Sequence, residues 1–86
     1  MKVELSLFGA LRDLQAEPRI ELDVADGASV ALLRNALHQH ARSHWPGLDL
    51  RLLDRCAFAS DSAVLRDDAP VPPGGRIAVL PPVSGG

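Results

Sequence analysis

Hydrophobic and polar residues alternate in two short stretches near the start of the chain, residues 2–8 and 19–24. A period of two places alternate side chains on opposite faces of an extended strand, so both stretches predict half-buried β-strands. The spacing between them is too long for a two-residue turn and fits a hairpin with a longer loop. The inward positions are Val3, Leu5, Leu7, Ile20, Leu22 and Val24.

A different period follows. Apolar residues recur every three or four positions, which is the pattern of one face of an α-helix. Ser29 stands where an N-cap is expected, and Pro46-Gly47 ends the pattern. The sequence therefore predicts one long amphipathic helix whose apolar face consists of Val30, Leu33, Leu37, Ala41 and Trp45.

The second half of the chain predicts shorter elements. Residues 48–55 fit either a short helical turn or an extended connector. Residues 56–60 predict a third strand, and residues 64–65 a short edge strand. A Pro/Gly-rich loop leads into the last strand, residues 76–80, with Ile77 and Val79 facing inward.

This order of elements predicts a two-layer α+β domain in which one helix covers one face of a mixed sheet. A helix of this length after a hairpin can cross the sheet and return the chain parallel to the first strand. The β-grasp, or ubiquitin-like, fold has this order. We expect a domain over residues 1–80 and an extended C-terminal tail over residues 81–86.

Composition excludes several classes of function. The chain has 86 residues, a net charge of −2 and no cluster of basic residues, which disfavours nucleic-acid or anionic-membrane binding. Its single cysteine, Cys56, allows no intrachain disulfide, and no apolar run is long enough to span a bilayer. These features are typical of a soluble cytoplasmic protein.

Side-chain chemistry offers few candidates. His40 and His44 share a helix face, but no third or fourth metal ligand lies nearby in the sequence, so no metal site is predicted. Cys56 has apolar neighbours, which favours a buried thiol over a reactive one. Asp67 and Asp68 fit a solvated turn better than an acid–base pair. We therefore expect no enzymatic activity from this chain alone.

The C-terminal tail is the remaining candidate. Its two prolines, Pro81 and Pro82, cannot continue strand pairing and favour a stiff, extended path. Gly86 ends the chain with a carboxylate whose acyl carbon is unhindered, and Gly85 lets the chain enter a narrow channel. Such a tail fits an acyl group presented to another protein, and it equally fits a frayed terminus.

Two segments resemble a known family. The end Pro81-Pro82-Val83-Ser84-Gly85-Gly86 and the segment from Leu7 to Leu14, "LFGALRDL", closely resemble the small subunit of molybdopterin synthase, which is ubiquitin-like in fold. The Gly-Gly end alone is shared with the thiamine-pathway sulfur carrier and with ubiquitin. The chain departs from the family pattern at Leu80, often aromatic in the family, and at Asp13, often Glu.

The resemblance implies a mechanism. A ubiquitin-activating-like adenylyltransferase uses ATP to convert the Gly86 carboxylate to an acyl-adenylate, and a persulfide sulfur donor converts that to a thiocarboxylate. The tail then enters the large catalytic subunit of molybdopterin synthase, with which the family forms a heterotetramer. There the sulfur passes to a pyranopterin precursor of the molybdenum cofactor. Neither the acyl-adenylate nor the thiocarboxylate is a permanently bound cofactor.

The resemblance also implies which residues act. The reacting residues are Gly86 and Gly85. Partner contacts are expected from Phe8, Arg12, Leu80, Pro81, Pro82, Val83 and Ser84. Phe8 has the same parity as Glu4 and Ser6, so we expect it to face away from the helix. If the first and last strands are neighbours, Phe8 and Leu80 form a small exposed apolar patch. The alternative is that Phe8 tucks under the following loop.

Three other functions stay open at this point. The chain is a sulfur carrier for thiazole or cysteine synthesis, a ubiquitin-like modifier conjugated to lysines, or an interaction domain whose tail is idle. The first differs from the leading hypothesis only in the receiving enzyme. The second predicts Gly86 in isopeptide linkage, and the third predicts that the tail can be deleted without effect.

Overall fold

The computed structural model describes residues 1–82 of the chain. Within this range the chain forms one sheet, two α-helices and a 3-10 helix over Gly9–Leu14. The other elements are β1 (Lys2–Leu7), β2 (Arg19–Asp23), α1 (Val30–His44), α2 (Arg51–Asp54), β3 (Ala57–Ala59), β4 (Val64–Leu65) and β5 (Arg76–Leu80).

The strands lie in the order β2-β1-β5-β3-β4. The first and last strands, β1 and β5, are parallel neighbours at the centre, whereas the other pairs are antiparallel. A parallel pair needs a crossover, and α1 lies in the connection between the two strands. Strand β5 therefore ends beside the end of β1, which places the start of the tail there.

The long helix forms where the apolar periodicity predicts it. The Ser29 hydroxyl accepts a hydrogen bond from the Leu32 N–H at 3.3 Å, which caps the first turn. All five residues of the predicted apolar face are buried. They pack with the inward side chains of the sheet, Val3, Leu5, Leu7, Ile20, Phe58, Ile77 and Val79, in one core.

The sequence predicted the number and order of the strands and the long helix, but several of these elements end at other residues than predicted. Residues 48–55 contain the short helical turn, α2, which settles the alternative left open between turn and connector. The third strand is shorter than predicted and spans only Ala57–Ala59. Strand β1 ends at Leu7, because Gly9 has a φ of +58° and turns the chain into the 3-10 helix.

Among residues 1–82, no helix is long and apolar enough to cross a membrane.

Candidate functional site

The candidate site lies where β1 and β5 end side by side. Their register pairs Leu7 with Val79, and the Phe8 N–H donates to the Val79 carbonyl oxygen at 3.3 Å. Phe8 is therefore level with Leu80, the last residue of β5. The tail starts one residue later, at Pro81, so the first residues of the tail leave the sheet beside Phe8.

Phe8 lies on the side of the sheet that α1 leaves open. It is 44 % exposed, which is high for a phenylalanine in a small domain, and Leu80 is half-buried on the same face as Ala78. Phe8 is therefore exposed and faces away from the helix, as the alternation of β1 predicted. An exposed aromatic beside a second apolar side chain is a common feature of partner surfaces. Their role as partner contacts stays a prediction.

Next to Phe8 the open face forms a shallow depression of about 420 Å³. Its floor is made of small side chains from three neighbouring strands, because Ser6 pairs with Ala78 and Ala78 pairs with Ala59. Charged residues surround this floor, and Arg19 and Glu4 approach each other to 3.9 Å. The charged residues that line the depression are Glu4, Arg19, Asp61 and Arg76.

Arg12 lies close to the same aromatic side chain. It follows Phe8 through the 3-10 helix, and both residues line a second depression together with Arg19. The structure thus brings Phe8 and Arg12, two residues singled out from the sequence, to one side of the tail root. The sequence did not single out Arg19, which lines both depressions, because its outward position on β2 looked like that of any solvated residue.

Pro81 rests on Gly9. A Cβ atom built on Gly9 would lie 2.7 Å from Cγ of Pro81, so the proline ring occupies the space that a side chain at position 9 would need. Pro82 is half-buried. The predicted site residues Val83, Ser84, Gly85 and Gly86 lie outside the described residues.

Cys56 has the surroundings of a structural thiol. Its side chain is buried, and its Sγ–H donates to the Leu52 carbonyl oxygen at 3.3 Å. Burial raises the pKa of the Cys56 thiol, and the positive charge of Arg34 opposes that shift only in part. Because the thiolate is the nucleophile, this residue is poorly suited to sulfur transfer.

The two candidate metal ligands stack on each other. The His40 and His44 rings are nearly parallel with centroids 4.1 Å apart, and the His40 and Trp45 rings meet edge to face with centroids 5.0 Å apart. Burial lowers the pKa of His40, and the neighbouring His44 lowers it further. Within residues 1–82, no group of three or more His, Cys, Asp or Glu side chains is placed to hold a metal ion.

The predicted solvated turn at Asp67 and Asp68 holds a structural contact that the sequence did not indicate. The Asp67 carboxylate accepts a hydrogen bond from Arg34 Nη2 at 2.9 Å, while Asp68 approaches Arg66 to 3.4 Å. By the helical period, Arg34 falls off the apolar face of α1. In the fold its side chain is only 13 % exposed.

The sequence model of the ThiS family matches residues 5–86, nearly the whole chain. No curated protein matches the chain. The match runs from β1 through the Gly-Gly end, so it includes both segments in which the family resemblance was found.

The chain is also similar in fold to several solved structures. The chain is 25 % identical to SAMP1 from Haloferax volcanii, with all of both chains covered and a TM-score of 0.73. A second structure, of small archaeal modifier protein 1 from H. volcanii, covers 95 % of this chain and 98 % of that one at 22 % identity, with a TM-score of 0.72. The latter likeness is one of fold alone.

A third similar structure is a complex of subunits 1 and 2 of the molybdopterin-converting factor from Helicobacter pylori. The matched chain is 26 % identical, with both chains covered completely and a TM-score of 0.57. These likenesses confirm the predicted ubiquitin-like β-grasp fold and the predicted resemblance to the small subunit of molybdopterin synthase.

Proposed function

Because the chain belongs to the ThiS family of ubiquitin-like sulfur carriers, we propose that it is the sulfur-carrying small subunit of a molybdopterin synthase. The observation that supports this most is the family match through Gly86, combined with β5 leading into the tail beside the exposed Phe8. The likeness to the H. pylori molybdopterin-converting factor favours this pathway among those of sulfur carriers.

The chemistry takes place at the Gly86 carboxylate. An oxygen of this carboxylate bonds to the α-phosphorus of ATP as pyrophosphate leaves, and the product is an acyl-adenylate. The terminal sulfur of a persulfide then attacks the acyl carbon and AMP leaves. A thiol attacks the second sulfur of the resulting acyl disulfide, which releases the thiocarboxylate and leaves the attacking thiol in a disulfide.

The final transfer regenerates the carrier. The thiocarboxylate sulfur bonds to a carbon of the pyranopterin precursor as an oxygen substituent leaves that carbon. Water then cleaves the acyl–sulfur bond, which returns the Gly86 carboxylate and leaves the sulfur on the precursor as a thiol. The adenylyltransferase, the persulfide donor and the large catalytic subunit supply the catalytic groups for these steps. This chain supplies the acyl group and the surface that docks it.

The open face beside the tail is the surface we assign to those partners. Phe8 and Leu80 offer apolar contact area, Arg12 offers a positive charge, and all three lie at the point where the tail begins. Aromatic and arginine side chains carry much of the binding energy of protein interfaces. A partner seated here holds the tail root in place while Pro81 to Gly86, at most about 20 Å when extended, reach into its active site.

Intact-mass spectrometry tests the proposal. The purified chain is incubated with the activating enzyme, ATP and a persulfide donor, and its mass should rise by the exchange of one oxygen for sulfur. The Cys56→Ala variant should gain the same mass, because the thiol is buried and its raised pKa makes it a poor acceptor. A variant lacking Gly86 should gain nothing, and an unchanged mass for the intact chain would contradict the proposal.

A protein modifier is the second candidate, favoured by the likeness to SAMP1 of H. volcanii, which has the higher TM-score of 0.73. Both functions begin with adenylation of Gly86, and they diverge at the acceptor. Isopeptide-linked Gly86 on lysines in a cell digest would favour the modifier. Pyranopterin dithiolene formed by the thiocarboxylated chain with the large subunit would favour the sulfur carrier.

A further inference from the structure

We propose that Gly9 is a positioning residue for the C-terminal tail. Because Gly9 has no side chain, the Pro81 ring packs directly against its backbone, and this contact fixes the direction in which the tail leaves the domain. The inference rests on the proposed function, in which the tail delivers Gly86 to other proteins. Gly9 itself touches no reacting atom.

The contact between Gly9 and Pro81 lies at the carboxyl ends of the two parallel strands. The Phe8 N–H donates to the Val79 carbonyl oxygen at 3.3 Å, which fixes the chain just before Gly9 against the chain just before Pro81. Gly9 then has a φ of +58°, a conformation that glycine adopts without penalty. A Cβ at this position would lie 2.7 Å from Cγ and 3.5 Å from Cδ of Pro81.

A separation of 2.7 Å is far below van der Waals contact between carbons, so an added side chain must displace Pro81. The proline ring is closed onto its own backbone, so Cγ can give way only by a small change of ring pucker and cannot rotate away as the end of an open side chain does. The displacement is therefore passed to the backbone. Pro82 follows with its own fixed φ, so only the ψ angles of the two prolines are left to absorb the change in direction.

The reaction is sensitive to this direction. Gly86 lies five residues beyond Pro81, a reach of about 18 Å at full extension, so a small rotation at Pro81 moves the carboxylate by several ångströms unless the tail bends. Misplacement of a reacting group by about 1 Å can lower a rate strongly. Within residues 1–82, apart from the chain neighbours Phe8 and Ala10 and the backbone of the 3-10 helix, only Pro81 has atoms within 4 Å of a Cβ at Gly9, so the added methyl group makes no direct contact with Leu80.

The test measures ATP–pyrophosphate exchange by the activating enzyme, with the carrier chain as the varied substrate. Gly9→Ala should lower kcat on the order of tenfold without raising KM. Simple loss of folded carrier would instead raise the apparent KM, since less substrate is competent to bind. This split separates tail position from fold stability.

Gly27→Ala is the matched control. Gly27 also has a left-handed φ, +79°, but no atom lies within 4 Å of a Cβ built there. The two alanine variants therefore share the backbone penalty and differ in the contact with Pro81. We expect Gly27→Ala to keep kcat within about twofold of wild type, since it leaves the tail geometry unchanged.

A double-mutant cycle with Pro81→Ala isolates the contact, because that change removes both Cγ and Cδ. In the Pro81→Ala background, adding Gly9→Ala should cost less than about threefold in kcat, against about tenfold in wild type. Equal costs in the two backgrounds, or equal losses for Gly9→Ala and Gly27→Ala, would overturn the inference. No exchange with wild-type chain and a competent enzyme would instead overturn the proposed function, and the inference with it.

Discussion

The guanidinium carbon of Arg34 lies 4.6 Å from the centre of the Phe58 ring, so a helix cation stacks on the buried aromatic of β3. Its Nη1 donates to the carbonyl oxygens of Leu53 at 2.6 Å and Cys56 at 2.9 Å. Nη2 donates to Asp67. One side chain thus joins α1 to the segments before β3 and after β4.

Replacing Arg34 by Met should lower the free energy of unfolding by about 2–4 kcal/mol. The Cys56 carbonyl oxygen loses the Arg34 donor, the Leu53 carbonyl oxygen keeps only its backbone donors at Arg55 and Cys56, and Met can replace neither guanidinium contact. Lys should recover little, since an ammonium group lacks the planar fork that reaches several acceptors. Urea denaturation measures the change.

Arg42→Met is the control for the Arg34 substitution, because Arg42 lies on the same helix and is exposed. Its loss should change stability by less than about 0.5 kcal/mol. Asp67→Asn should cost at most about 1 kcal/mol, since Asp67 is 60 % exposed and solvent screens its pair with Arg34. Equal effects of the Arg34 and Arg42 substitutions would mean that the carbonyl contacts contribute nothing.

Two adjacent glycines before β5 should differ sharply on substitution. Gly75 has a φ of +68°, and a Cβ there would lie 2.6 Å from the Lys2 carbonyl oxygen. The Gly75 carbonyl oxygen also accepts from the Glu4 N–H, so the backbone cannot easily move away. Gly75→Ala should therefore cost about 2–3 kcal/mol of unfolding free energy.

Gly74→Ala is the internal comparison for that prediction. No atom lies within 4 Å of a Cβ at Gly74, and its φ is not in the left-handed region. We expect a change of less than about 0.5 kcal/mol by thermal or urea unfolding. If Gly75→Ala were as harmless, the close approach to Lys2 would not restrict the chain.

Phe8 and Leu32 are large apolar side chains with similar exposure, 44 % and 53 %, on different surfaces. Phe8 lies beside the tail root, whereas Leu32 lies on α1. Under the proposed function, Phe8→Ser should weaken binding to the large synthase subunit by at least tenfold, about 1.4 kcal/mol or more. Leu32→Ser should leave the affinity nearly unchanged.

Isothermal titration calorimetry measures both affinities, and circular dichroism checks that both variants are folded. Loss of a half-exposed side chain should lower stability only slightly in each. If both variants kept the wild-type affinity, the large subunit would dock elsewhere. If both lost affinity equally, the cause would be a general loss of structure.

The sequence predicted most of the fold because the apolar side chains of this domain obey simple periods. Alternation identified the inward residues of β1 and β5, and the helical period identified the buried face of α1. A polar residue gives no such signal. The partial burial of Arg34 could not be predicted, because its acceptors at Leu53, Cys56 and Asp67 come close only after the chain folds.

The candidate site was predictable in part for the same reason. The parity of Phe8 placed it on the open face, and the Gly-Gly end drew attention to the tail. The contact of Gly9 with Pro81 was not foreseen, since a glycine after a strand reads only as a strand terminator. The roles of Val83 to Gly86 stay predictions from the family resemblance.

Acidification should destabilise the end of α1 through His40. Burial and the neighbouring His44 hold the pKa of His40 below its ordinary value, so the unfolded chain binds a proton more readily than the folded one. The stabilisation that comes from uncharged His40 is complete above the ordinary histidine pKa of about 6.5. It is lost as the pH falls through the lower pKa that His40 has in the folded chain.

An NMR titration of the imidazole protons tests this directly. His40 should titrate below a free histidine, and His44→Gln should raise the pKa of His40 only partly, because burial is the larger cause and persists in the variant. His40→Gln should flatten the loss of stability between neutral and mildly acidic pH. A His40 pKa at or above that of free histidine would contradict the explanation, since burial and the stacked His44 both disfavour the charged ring.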